Sequence, residues 1–140
     1  MVSEYESIPF KGPSSLAYNT EDNILYIADT GPFGNISMSK PHGSVYLYDL
    51  RELDGLQMMR PLMFNCLSYP SAIIYDNNKG NLYIAETFTN RIIRLTQNPK
   101  GVYHASVFYQ FSGRVGPTCL ALDDLDNIYV GRFEFQVRLK

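Results

Sequence analysis

The chain has 140 residues, with 12 Lys+Arg against 14 Asp+Glu, a formal charge of −2, two Cys, no Trp, 11 Tyr and 8 Phe. Its 45% apolar and 19% charged residues are those of a packed domain and exclude a disordered chain. The slight acidity disfavours nucleic acid, a partner that must be met by a broad positive field.

The first ten residues, MVSEYESIPF, contain neither a basic nor an apolar leader region, and no run of about 18 apolar residues occurs in the chain. No transmembrane segment is expected, and a genuine N-terminus implies a soluble, intracellular protein. Residues 5–10 are predicted to form one outer strand. From Pro13 the sequence reads PSSLAYNTEDNILYIADT, from Pro70 PSAIIYDNNKGNLYIAET, and from Pro117 PTCLALDDLDNIYVGR, which are three copies of one unit. The Leu or Ile that opens the second apolar run follows the Pro by 12, 12 and 11 residues, and the copies start 57 and 47 residues apart. The extra length in the first copy is an insertion after Asp29, covering residues 30–43. Unit boundaries fall at 13–69, 70–116 and 117–140, within a single domain.

Apolar runs in each unit are short, β-branched and aromatic, and they are broken by turn residues, so strands are predicted and helices are not. In the middle unit the strands are predicted at 71–75, 82–86, 91–96 and 102–111. Asn77-Asn78-Lys79-Gly80-Asn81 and Asp123-Asp124-Leu125-Asp126-Asn127 have the composition of hairpin turns. Neither has the alternating oxygen ligands and closing Glu of a calcium loop. Four antiparallel strands repeated every 40–50 residues indicate an all-β fold, a β-propeller with about three four-stranded blades. Leu16, Ile73 and Leu120 are then predicted to pack between blades from the innermost strand, and Ala17, Ile74 and Ala121 from its other face. Tyr26, Tyr83 and Tyr129 recur in the second strand, as packing residues do.

The segment LYIAETFTNRIIRL, from Leu82 to Leu95, resembles an NHL repeat, with an apolar strand, an acid, a short Asn-containing turn and an Arg-bearing strand. The pattern is similar to that of gluconolactonase and regucalcin-like lactonases, strictosidine synthase-like proteins and paraoxonases, all six-bladed propellers. The Gly-Pro opening of the insertion and its Gly-Ser-Val strand start look more like the gluconolactonase-like and strictosidine synthase-like branch than a plain NHL array. The resemblance implies half of a six-bladed ring. It also implies a metal held by Glu and Asn/Asp side chains near the starts of inner strands in the lactonase members. This sequence has Lys11-Gly12-Pro13, Pro70-Ser71-Ala72 and Pro117-Thr118-Cys119 at those places. Their hydroxyls are weak ligands for calcium or zinc. No cofactor is therefore expected on these blades, and a divalent metal only where a complete ring supplies the ligands.

The loops between first and last strands of successive units, and between second and third strands, are predicted to share the functional face. Candidate binding residues there are Asp29, His42, Glu86, Arg91, Arg114 and Arg132. Asp29 and Glu86 are repeat-equivalent acids, expected to accept loop N–H groups or to pair with an Arg such as Arg91. Arg132 stands where the third copy should have its acid. His42 lies in the insertion, whereas His104 is predicted to be exposed on an outer strand. Cys66 and Cys119 are 53 residues apart, have no metal-ligand spacing and are expected to be buried thiols. No serine has the Gly-x-Ser-x-Gly setting of a nucleophile elbow.

Twelve strands are predicted, with the N-terminal strand able to finish the sheet begun by the last three. Three blades do not close a ring in the usual range of about four to eight. The chain is thus expected to be a fragment of a larger propeller or a half-ring that pairs with a second copy. The leading functional expectation is a non-catalytic binding or scaffold module, its protein or small-molecule ligand unidentified, using the face that carries the insertion. The alternative is a lactonase-type hydrolase or strictosidine synthase-like enzyme with its active residues on missing blades.

Overall fold

The computed structural model describes residues 4–5, 8–32, 41–53, 56–113, 116–132 and 136–139. Among these residues there is no helix, and thirteen strands follow one another: β1 Glu4–Tyr5, β2 Ile8–Pro9, β3 Pro13–Asn19, β4 Ile24–Asp29, β5 Gly43–Leu53, β6 Leu56–Leu67, β7 Pro70–Asp76, β8 Asn81–Glu86, β9 Arg91–Gln97, β10 Tyr103–Gln110, β11 Pro117–Leu122, β12 Ile128–Arg132 and β13 Gln136–Leu139. Each strand pairs antiparallel with its successor within three sheets, β3-β4-β5-β6, β7-β8-β9-β10 and β11-β12-β13. These sheets are blades 1, 2 and 3 of a partial β-propeller. The first strands of the blades meet, β7 packing between β3 and β11.

Turn chemistry explains why the meanders reverse where they do. Asp76 Oδ1 accepts the N–H groups of Asn78 (2.9 Å) and Lys79 (3.2 Å), and Gly80, at φ 76°, donates to the Asp76 carbonyl. Asn19 and Asp123 do the same in the other blades, accepting from Glu21 and Asp22, and from Leu125 and Asn127. A short polar side chain that bonds two or more residues onward competes with the sheet ladder and forces the turn. The acidic loops of the sequence are therefore filled by their own backbone.

Alternation along the strands supplies apolar side chains to both faces of each blade. Leu82 and Ile84 of β8 face blade 1, where they meet Ala17, Tyr26 and Leu67 in one buried cluster. Tyr83 and Ala85 of the same strand face blade 3, where they meet Ile128 and Val130 in another. Ile73 belongs to the first cluster, and Ile74 and Leu120 pack against the second. Leu16 and Ala121 depart from the predicted packing. Leu16 is 62% exposed and Ala121 is exposed, because among the described residues no blade covers the outer side of β3 or β11. Tyr129 is 42% exposed for the same reason, whereas Tyr26 and Tyr83 are buried.

Two further expectations are corrected. The run 5–10 is not one strand, since β1 pairs with β2; Pro9 has no N–H to offer an interior ladder position, and the Phe10 ring beyond it lies tilted against Tyr46 of blade 1, centroids 5.1 Å apart. Cys66 and Cys119 are free and exposed, Cys119 because it lies on the uncovered side of β11. His104 is exposed as predicted, its Nε2 2.9 Å from the Asn98 carbonyl.

Tyrosines join blades 1 and 2. Tyr26 and Tyr103 share a hydroxyl hydrogen bond of 2.8 Å, and the Tyr26 and Tyr75 rings stack at 5.3 Å. Burial pushes the Tyr75 hydroxyl up to about 12 and the Tyr26 hydroxyl higher still, the Tyr103 hydrogen bond adding to the second shift. In the unfolded chain both ionise near 10.0, so the unfolded state loses protons first and stability falls as pH rises above that value. Urea titrations should show a decline in stability above pH 10.0 that is shallower in Tyr26→Phe. Ile84→Ala, which empties a fully buried position between blades, should cost about 3 kcal/mol in the same assay at neutral pH.

Candidate functional site

The repeat prolines open the inner strands, and the ladder register sets Pro13 opposite Asp29, Pro70 opposite Glu86 and Pro117 opposite Arg132. Asp29, Glu86 and Arg132 are therefore structural equivalents at one end of the three blades, the end expected to carry function. The register agrees with the position read for Arg132 from the sequence, although the turn of the third unit is one residue shorter.

Each of the three binds the loop that enters its blade. Asp29 is 2% exposed; its Oδ1 accepts from Gly12 N (2.8 Å) and Gly31 N (2.9 Å), and its Oδ2 from Lys11 N (2.8 Å). Glu86 is 1% exposed; its Oε2 accepts from Ser68 N at 2.7 Å, and its Oε1 from Arg91 Nε at 2.5 Å. Buried ionised carboxylates need such donors, since an unmatched charge is costly to bury. Arg132 reverses the polarity. Its Nη2 donates to the Ser112 carbonyl at 2.7 Å, and its guanidinium lies 4.8 Å from the centre of the Phe111 ring.

Hydroxyls tie adjacent blades together at this end. Ser14 Oγ donates to the Pro70 carbonyl (3.4 Å), Ser71 Oγ to the Pro117 carbonyl (3.3 Å), and Thr87 Oγ1 also to the Pro117 carbonyl (2.7 Å). His42 is half-buried beside the turn that Asp29 organises. A Cβ on Gly31 would lie 2.8 Å from that of His42, and Gly31 has φ +91°, so glycine is required there. Arg114 and residues 33–40 of the insertion lie outside the described residues.

Among the candidates, only Glu86 and Arg91 are in direct contact in the bonds given above. Asp29 and His42 share the turn at Gly31, and Arg132 holds the loop that carries Ser112. Sequence reasoning missed Tyr69, which precedes the repeat Pro where the other units have Gly12 and Gly116. Tyr69 adopts φ 64° and meets Phe88 edge to face at 5.4 Å. A tyrosine at a position occupied twice by glycine is the signal that could have found it.

The chemistry open to these groups is limited. Among the described residues no group of three His, Cys, Asp or Glu could hold a metal ion. A cleft of about 340 Å³ lies at the opposite end of blades 1 and 2, lined by Asp22, Asp49, Arg51, Arg60, Lys100 and Tyr103 among others. Arg51 pairs with Asp49 and Lys100 with Asp22, both at 2.6 Å, and Arg60 donates to the Gly101 carbonyl at 3.4 Å. Such bridges contribute little stability and have no reacting partner here. No described helix is long and apolar enough to cross a membrane.

The chain is similar to lactonase drp35 of Staphylococcus epidermidis, with 29% identity over 99 residues, which are 68% of this chain and 29% of that protein. Lactonase drp35 of Staphylococcus haemolyticus and of Staphylococcus aureus are 27% identical over the same share. The match thus spans less than a third of these relatives' length. A solved structure assigned as a gluconolactonase superposes on 99% of this chain and 48% of its own, with a TM-score of 0.75 and 17% identity. No family model matches the chain. The two likenesses support a gluconolactonase-like propeller superfamily.

A structural role for Asp29 predicts its mutational pattern. Asp29→Ala, which strands three N–H groups, should lose about 3 kcal/mol in urea unfolding, and Asp29→Asn, which keeps one acceptor oxygen, about half of that.

Proposed function

We propose that these blades form part of a hydrolase of the gluconolactonase or lactonase type, acting on a cyclic ester, with its reacting groups outside the described residues. The observation that carries this reading is the similarity to lactonase drp35 over 99 residues. Lactone hydrolysis adds water to the ester carbonyl and breaks the ring C–O bond, giving a hydroxy acid. The described residues do not fit the divalent ion expected of lactonase-type propellers. Asp29 and Glu86 are saturated by backbone N–H groups and Arg91, and Ser71 and Thr118 donate to carbonyls of the scaffold. What these blades supply is a rigid arc that fixes the loops of one face relative to one another.

The same saturation favours a second reading, a non-catalytic module that binds through the loop end at which Asp29, His42, Glu86, Arg91 and Arg132 stand. Turnover separates the two. The purified protein should open five- or six-membered lactones in a pH-stat assay, with activity lost in EDTA and restored by calcium or zinc. A folded protein with neither turnover nor bound metal would remove the hydrolase reading and leave the binding module.

A further inference from the structure

Blades 1 and 2 each have all four strands, and the cleft between them, at the end away from the repeat prolines, is lined by residues of those two sheets and their turns. It exists because neighbouring blades diverge: the inner strands β3 and β7 pack closely, and the outer strands β6 and β10 do so far less. Strand alternation furnishes one wall. Leu47, Asp49 and Arg51 are alternate residues of β5, so their side chains leave the same face, and the ladder sets Ile24 opposite Asp49 and Arg60 opposite Leu47. That wall is apolar at Ile24 and Leu47, both buried, and charged further along the strand. Blade 2 answers with the β9–β10 turn, which brings Gln97, Lys100 and Tyr103. Tyr103 is held in place by the 2.8 Å bond between its hydroxyl and that of Tyr26.

The charges in the cleft do not cancel. Asp49 is taken by Arg51, which donates from its backbone N (3.0 Å), Nε (2.9 Å) and Nη2 (2.6 Å), and Asp22 by Lys100 (2.6 Å) and Asn19 Nδ2 (3.0 Å). Arg60 has no such carboxylate among the described residues, and its Nη2 reaches the Gly101 carbonyl at a long 3.4 Å. Three cations, Arg51, Arg60 and Lys100, thus face two acids, Asp22 and Asp49, a surplus of one positive charge. A guanidinium fork matches the two oxygens of a carboxylate. Gln97 Oε1 accepts from Gly101 N at 3.0 Å, which leaves its NH2 group as a further donor in the same lining.

We propose that this cleft binds a small organic monoanion, a carboxylate whose apolar body lies on Ile24, Leu47 and Tyr103 and whose oxygens take the N–H groups of Arg60. Its volume of about 340 Å³ falls within the ~300–1,000 Å³ of small-molecule sites. One negative charge neutralises the surplus, whereas a phosphate dianion exceeds it and meets the repulsion of Asp22 and Asp49. The site stands at the opposite end of the blades from the loops of Asp29 and Glu86, so it goes beyond the hydrolase reading and does not rest on it.

Calorimetric titration of the purified chain with benzoate at neutral pH should show saturable binding. Benzamide, which keeps the shape without the charge, should bind about tenfold more weakly, and phenyl phosphate should also bind more weakly than benzoate. Arg60 is exposed, so Arg60→Gln should keep the native circular dichroism while losing about tenfold in benzoate affinity, and Arg60→Lys should recover part of that loss. Lys79→Gln removes a positive charge from the same end of blade 2 but outside the cleft lining, and should bind benzoate as the native chain does. In amide NMR spectra benzoate should shift Lys100 and Gly101 and leave Gly12 and Gly31 in place. No binding at millimolar benzoate overturns the proposal, as does equal affinity for benzamide, tighter binding of phenyl phosphate, or a benzoate affinity unmoved by Arg60→Gln.

Discussion

A blade of this protein has no solvent side. Because its strands alternate apolar side chains to both faces, a four-stranded sheet of this sequence is stable only when a neighbour covers each face, as blade 2 is covered. The rest of the structure follows from that requirement. It makes the inner strands converge and puts Tyr26 and Tyr83 in clusters shared by two sheets. It also leaves Tyr129, identical in type and position, half in water. Burial in such a fold belongs to an interface between repeats, and the terminal repeats have it on one side only.

Covering the faces constrains the ends. The chain must leave the outer strand of one blade, cross to the inner strand of the next and turn there without wasting backbone donors. Asp29 and Glu86 meet this need with carboxylates placed where the entering loop presents its N–H groups. Arg132 meets the converse need by donating to a loop carbonyl. Either charge works at this position because the peptide group offers both a donor and an acceptor, and the sign of the side chain selects which one is held. Gly31 lets the chain turn tightly enough beside Asp29 for its N–H to reach the same carboxylate.

These two constraints separate what the sequence discloses from what it conceals. Period, strand type and turn acids are local, and the strands of the middle blade fall within one or two residues of their predicted limits. Exposure of Leu16, Ala121, Cys119 and Tyr129 depends on whether a neighbour exists, which no local pattern records. The two-stranded pairing near Pro9 was likewise hidden, since a single apolar run is compatible with either arrangement. At the candidate site, the acids were legible as recurring positions, and Glu86 with Arg91 as a pair. Saturation of Asp29 was not, because its three donors are backbone groups that carry no sequence signature. The place of Arg132 was legible too, since the apolar run before it aligns with the runs before Asp29 and Glu86, and the ladder register agrees.

Function in a repeat scaffold attaches where a copy departs from the others. A residue that recurs in every blade answers a need every blade has, as the tyrosine of the second strand does. Departures at the loop end are few: the insertion that carries His42, Tyr69 where its equivalents are glycines, and Arg132 where its equivalents are acids. Arg132 has been absorbed into loop support, and His42 flanks a turn that another residue organises. Tyr69 is held at a positive φ that costs a bulky residue about 1–3 kcal/mol, and its ring contact with Phe88 is the compensation visible in the fold. An aromatic pair at the loop end, kept there against its backbone preference, is therefore the feature of this arc least explained by the scaffold's own needs.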